Sequence, residues 1–195
     1  MDEDPFVSDD GAAPGSARGK LLLAGPLLLD PNFFRAVVLV LDHDDEGAFG
    51  LVVNRRSEIP LADVLAAWAP FARPDAYVYL GGPVAPEAGF ALARAGSPDL
   101  SGVSPLRDGW AVVDLEADPL VVGPELTHLR IFSGYAGWGA GQLEAEMKQK
   151  AWLVQKPTRS MVKLDRLPKL WFDIMNSLGP WYKMLAAAPD DPSLN

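Results

Sequence analysis

The feature that most limits how this chain can fold is a series of short apolar runs, each cut off by turn-forming residues. Residues 20–24 (KLLLA), 36–41 (AVVLVL), 49–53 (FGLVV) and 76–80 (AYVYL) are five or six residues long and rich in aliphatic, β-branched and aromatic side chains. That length is too short for a helix and suits a strand buried on both faces. Residues 42–47 (DHDDEG) separate the second run from the third and read as a hairpin loop. Further strands are expected at residues 89–93, 110–113, 127–133 and 151–155.

Helical periodicity is rarer. Leu61, Val64, Leu65 and Trp68 recur at helical spacing, with Pro60 before them and Pro70 as a stop. Ala140, Leu143, Met147 and Ala151 form a second stripe. Trp171, Ile174, Met175 and Leu178 form a third, opening at Pro168 and closing at Gly179-Pro180. Residues 116–122 suggest a short fourth helix. The early strands follow one another without intervening helices, which predicts an α+β fold with a largely antiparallel or mixed sheet.

The chain has 195 residues, of which 49% are hydrophobic, and no cysteine. One domain with a core of its own is expected, without disulfides, thiolate metal sites or a cysteine nucleophile. Residues 1–18 are acidic and rich in Pro, Gly, Ala and Ser. They are expected to be disordered, as are residues 189–195, leaving a domain over residues 19–188. The run LLLAGPLLL at residues 21–29 is broken by Gly25 and Pro26 and is too short to span a bilayer. Acids precede it, so it does not read as a signal peptide, and a cytoplasmic location is expected.

The formal net charge is −9, which disfavours direct nucleic-acid binding. The densest basic group, Lys148, Lys150, Lys156, Arg159 and Lys163, is interrupted by Glu144, Glu146 and Asp165 and reads as a solvated mixed face.

Candidate chemistry centres on residues 133–144 (SGYAGWGAGQLE). An expected strand enters a glycine-rich loop that opens a helix, a context that can aim N–H groups at an anion. The glycines match neither the dinucleotide fingerprint nor a P-loop. Tight turns and close packing are the plainer account of them. Gly81-Gly82-Pro83 makes a sharp turn that could wall the same pocket. Asp42, His43, Asp44, Asp45 and Glu46 read as a solvated turn rather than a cation loop. His128, alternating with Leu129 and Ile131, is expected to face solvent or a partner side chain. Glu144 and Glu146 read as i, i+4 partners of Lys148 and Lys150. Asn54, at a strand end, either enters a cleft or satisfies backbone. No nucleophile elbow or metalloprotease motif is present, and no cofactor is expected.

Taken in order, GKLLLA at residues 19–24, Pro26, Asp30, Phe33-Phe34, Asp42-His43, GAFG at 47–50, Val53-Asn54-Arg55, GGPV at 81–84, Gly89-Phe90, GYAGW at 134–138, GQLE at 141–144, Glu146 and Trp152 resemble the AlgH/YqgE family of small bacterial proteins. The likeness runs from about residue 19 to 179. It implies an α+β domain whose branched sheet curls into a pseudo-barrel with a few flanking helices, and it carries the label of transcriptional regulator. The positions it transfers are Asn54, Gly81, Gly82, Pro83, Tyr135, Gly137, Trp138, Gln142 and Glu144. Ala93 and Arg94 stand where many relatives have histidine.

The leading expectation is a non-catalytic domain that binds a small polar or anionic ligand, or a protein partner, in a cleft beside the two glycine segments. The alternatives are a regulator of transcription acting through a partner, and a hydrolase or transferase of unknown substrate.

Overall fold

A computed structural model describes residues 15–96, 100–106, 109–157 and 164–187. Residues 1–14 and 188–195, which hold most of the two expected tails, lie outside that range, as do Arg159 and Lys163 of the basic group. Ser16 and Ala17, read from the sequence as tail, are described and buried.

Among the described residues, ten strands form one sheet: β1 (Leu21–Ala24), β2 (Val37–Asp44), β3 (Gly47–Val52), β4 (Arg56–Pro60), β5 (Tyr77–Leu80), β6 (Val84–Ala95), β7 (Val103–Pro105), β8 (Trp110–Val113), β9 (Leu126–Gly139) and β10 (Trp152–Gln155). Its main order is β10-β1-β2-β3-β9-β6-β8-β7. Neighbours along it are antiparallel, whereas β5 runs parallel to β9 and pairs with β4 on its other edge. The fold is α+β, with the sheet curled into a half-barrel.

The long strand β9 creates the branch. Its first half has β5 on one side and β6 on the other, with Phe132 opposite both Tyr79 and Phe90. Its second half pairs with β3, from Gly50 opposite Ala136 to Gly47 opposite Gly139.

Two-sided burial explains why the runs are continuously apolar. In β1, Leu21 and Leu23 enter a central core with Leu39, Phe132 and Trp171, while Leu22 and Ala24 enter a second core with Val38, Trp138 and Trp152. Successive strand side chains point to opposite faces, so no position was free to be polar. A third core, with Val78, Ala91, Val113 and Ile131, packs under Leu61 and Trp68.

The described residues contain five α-helices: α1 (Leu61–Val64), α2 (Pro119–Val122), α3 (Gln142–Lys148), α4 (Leu170–Ser177) and α5 (Pro180–Ala186). None is long and apolar enough to cross a membrane. The helix expected to reach Trp68 stops after one turn, because Leu65 leaves helical backbone (φ −138°, ψ 62°). Only Leu61 and Trp68 of its stripe are buried, and the Trp68 indole N–H donates to the Leu115 carbonyl at 3.2 Å. Tertiary anchoring thus outweighs the periodicity. Pro168 falls inside a 3₁₀ segment (Leu164–Lys169) rather than at the start of α4.

Two further expectations are corrected. The six-residue hairpin loop shrinks to Asp45 and Glu46, since Asp42, His43 and Asp44 pair with Phe49, Ala48 and Gly47. The glycine-rich loop is mostly strand: β9 continues to Gly139.

Candidate functional site

The two glycine segments come together as backbone against backbone. Gly82 has φ +154°, and a Cβ there would overlap the Tyr135 carbonyl and the Ala136 nitrogen. Reciprocally, Gly134 has φ +68°, and its Cβ would lie 2.6 Å from the Gly82 carbonyl oxygen. Neither site admits a side chain, which accounts for the glycines without a ligand. Pro83 is exposed in the turn between β5 and β6.

Beyond this contact, the second half of β9 borders an open hollow of about 470 Å³ shared with the β2–β3 hairpin. Tyr135, Gly137 and Trp138 line it from β9, Phe49 from β3, and Val84 from β6. Tyr135 is half-buried, and its ring meets Phe49 and Phe90 edge-on at 6.0 and 5.6 Å. The rim is acidic, with Asp42, Asp44 and Glu46. Asp42 stands 3.9 Å from Arg18, and Asp44 accepts the Glu46 backbone N–H at 2.8 Å. Carboxylates at the rim repel an anion and favour a cation, the reverse of the charge expected from a glycine-rich helix start.

Trp138 contributes little open surface to the hollow, being only 7% exposed. Its indole N–H donates to Glu146 Oε2 at 2.9 Å, and that of Trp152 donates to the same oxygen at 2.7 Å. The two indoles meet edge-on at 5.7 Å, with the Phe33 ring against both. Gln142 reinforces the arrangement, accepting the Gly139 N–H at 3.1 Å and donating to Glu146 Oε1 at 2.8 Å. Glu146 is therefore an acceptor for two largely buried indoles rather than the partner of Lys150.

His43, expected in a solvated turn, is buried. Its Nδ1 accepts the Ala17 backbone N–H at 2.8 Å, so in the neutral ring Nε2 carries the proton and donates to Glu144 Oε1 at 2.7 Å. Glu144 is held below its ordinary carboxylate range, first by a hydrogen bond from its own backbone N–H and then by His43, with a smaller contribution from Lys148. Asn54 stays out of the hollow: its Oδ1 accepts the Val37 N–H at 2.9 Å and its Nδ2 donates to the Arg35 carbonyl at 3.0 Å.

Of the nine positions singled out in sequence, Tyr135, Gly137 and Trp138 line this hollow. Gly81 and Gly82 set the strand contact beside it, Gln142 and Glu144 brace helix α3, and Asn54 fixes the entry to β2. The rim carboxylates read in sequence as a solvated turn; the strand pairing of Asp42 and Asp44 was the missing signal.

Against protein-family models, residues 21–183 match the one described as AlgH-like. The chain belongs to the AlgH-like family. It is 43% identical over 187 residues to a UPF0301 protein of Streptomyces avermitilis, covering 92% of this chain and 96% of that protein. A UPF0301 protein of Thermobifida fusca is 40% identical over 190 residues, with the same coverage. Among solved structures, AlgH of Pseudomonas aeruginosa is similar at 33% identity and a TM-score of 0.66, covering 91% of this chain and 97% of that one. A Corynebacterium diphtheriae protein shares the fold at a TM-score of 0.79 and 24% identity, over 91% and 95% of the two chains. These names state no reaction and no ligand.

Proposed function

We propose that this AlgH-like chain is a non-catalytic binding domain whose hollow between β9 and the β2–β3 hairpin receives a basic segment of a protein partner. One observation carries the reading: the half-buried Tyr135 ring sits among Phe49, Val84 and the carboxylates of Asp42, Asp44 and Glu46 around one open hollow. An aromatic ring close to carboxylates suits a lysine or arginine side chain, whose apolar stem covers the ring while its charge meets the acids. A protein partner is favoured over a small ligand because the hollow is open and all three rim acids are exposed. Any influence on transcription then runs through that partner, in keeping with the net charge of −9.

Titrating the full chain with a lysine- and arginine-containing peptide, and with its acidic counterpart, tests this. Selective, salt-sensitive binding of the basic peptide is expected, weakened several-fold in a D44N/E46Q double variant. Equal binding of both peptides, or no change in the double variant, removes the proposal.

A further inference from the structure

A second hollow, of about 710 Å³, opens over the sheet face that packs under Leu61 and Trp68. Val78 on β5, Ile131 on β9, Ala91 on β6 and Val113 on β8 lie buried beneath it, on four strands that are neighbours in the sheet. Ile59 of β4 and Val64 and Leu65 of α1 line the side next to β5. The start of β6 and the turn after β8 line the other, with Leu115 half-buried. The Trp68 indole, donating to the Leu115 carbonyl at 3.2 Å, holds that turn in place.

A bulge shapes one wall. Pairing of β6 with β9 jumps from Val84–Tyr135 to Gly89–Ser133, so residues 85–88 stand opposite Gly134 alone. The extra residues bend away from β9, with Ala85 at φ +44° and the Pro86 carbonyl accepting the Ser133 hydroxyl. This raised segment brings Glu87 to the lining, and the turn after β8 adds Asp114 and Glu116. All three acids are exposed, and Asp114 Oδ1 accepts the Glu116 backbone N–H at 2.9 Å. Among the described residues, neither Glu87 nor Glu116 has an ion-pair partner, and no lysine, arginine or histidine lines the hollow.

We propose that this hollow binds a small amphiphilic cation, an aliphatic amine whose chain covers Ile59, Val64 and Leu65 while its ammonium group meets Glu87, Asp114 and Glu116. Size sets the kind of occupant: the volume lies within the roughly 300–1,000 Å³ of small-molecule sites. The apolar body follows from Ile59 and Val64, large aliphatic side chains left 48% and 54% exposed at the edge of the hollow. Covering them removes apolar surface from water. The charge follows from a lining on which every ionisable group is an acid, which attracts an ammonium and repels a carboxylate or phosphate. No residue lines both this hollow and the one beside Tyr135, so the inference stands apart from the function proposed there.

The test is calorimetric titration of the full chain at neutral pH and low salt with octylamine, hexylamine, octanol and octanoate. Octylamine, protonated at that pH, is expected to bind saturably at one site and at least about tenfold more tightly than octanoate. Hexylamine, two methylenes shorter, is expected to bind several-fold more weakly than octylamine. A Glu87→Gln/Glu116→Gln double variant is expected to lose several-fold in octylamine affinity while binding octanol as the parent does. Val64→Arg, which sets a cation in the wall, is expected to weaken octylamine by about tenfold. Both variants change exposed residues, and their melting temperatures are expected to stay close to that of the parent. Asp44→Asn, in the other hollow, leaves octylamine binding unchanged. The site is overturned by absence of saturable binding, by equal binding of hexylamine and octylamine, or by Val64→Arg binding as the parent does. Octanol or octanoate binding as tightly as octylamine, or full affinity in the double variant, overturns the cationic assignment. Displacement of bound octylamine by the lysine- and arginine-containing peptide would make the two hollows one peptide site and overturn the small ligand.

Discussion

The indole nitrogens of Trp138 and Trp152 converge on a single oxygen, Oε2 of Glu146, at 2.9 and 2.7 Å. One carboxylate thus ties the end of β9 and the start of β10 to helix α3. Glu146→Ala strands two indole N–H groups that are largely cut off from water, and a loss of roughly 2–4 kcal/mol is expected from two hydrogen bonds to a charged acceptor. Glu146→Gln can retain an oxygen at the same place and should lose less. Denaturant unfolding of both variants checks the ranking; equal losses would mean that packing, not the shared acceptor, dominates.

Backbone contact between the glycine segments separates two substitutions that look alike on paper. Gly82→Ala places a methyl on the Tyr135 carbonyl at φ +154° and should cost more than about 3 kcal/mol or prevent folding. Gly141→Ala meets nothing within 4 Å and carries only the strain of φ +71°, about 1–2 kcal/mol. Soluble yield and melting temperature of the pair measure the contrast.

These two examples mark what could be read from residue order and what could not. The strands of β1, β2 and β3 were legible because burial on both faces leaves an unbroken apolar run. Residues 134–139 were not legible as strand, because glycine carries no propensity for it. Their pairing with β3 is a long-range fact, visible only once Gly47 stands opposite Gly139. The same limit applies to Arg56, Arg73 and Arg130, which are far apart in sequence and border one small cavity because β5 brings β4 beside β9. Charge at the hollow was misjudged for a related reason. Asp42 and Asp44 read as a loop, yet they belong to a paired strand that presents them beside Tyr135.

Asn54 tests whether a position shared across a family resemblance serves a ligand or the fold. Both of its amide groups are engaged by backbone, at Val37 and Arg35. Asn54→Asp keeps the acceptor but loses the donor to the Arg35 carbonyl and puts a carboxylate next to it. A destabilisation of about 1–3 kcal/mol is expected. Basic-peptide affinity should be unchanged when measured below the melting transition. A fall in affinity without a fall in stability would return Asn54 to the binding surface.

The Glu144 carboxylate, hydrogen-bonded by His43, gives the fold a pH dependence. Its folded pKa lies below the ordinary 4.5, through its own backbone N–H and then His43. The unfolded chain therefore takes up this proton first as pH falls. Stability from the carboxylate is fully present above about pH 4.5 and is lost as pH drops through the lower folded value. Glu144→Gln removes the group that titrates. The melting-temperature gap between parent and variant should accordingly be widest near neutral pH and close as pH falls below the ordinary 4.5 and through the lower folded value. Because Glu144 is substantially solvent-exposed, that gap should be small and should narrow with added salt. A gap that holds constant from pH 7 to pH 3 would assign the effect to helix α3 itself rather than to the charge on Glu144.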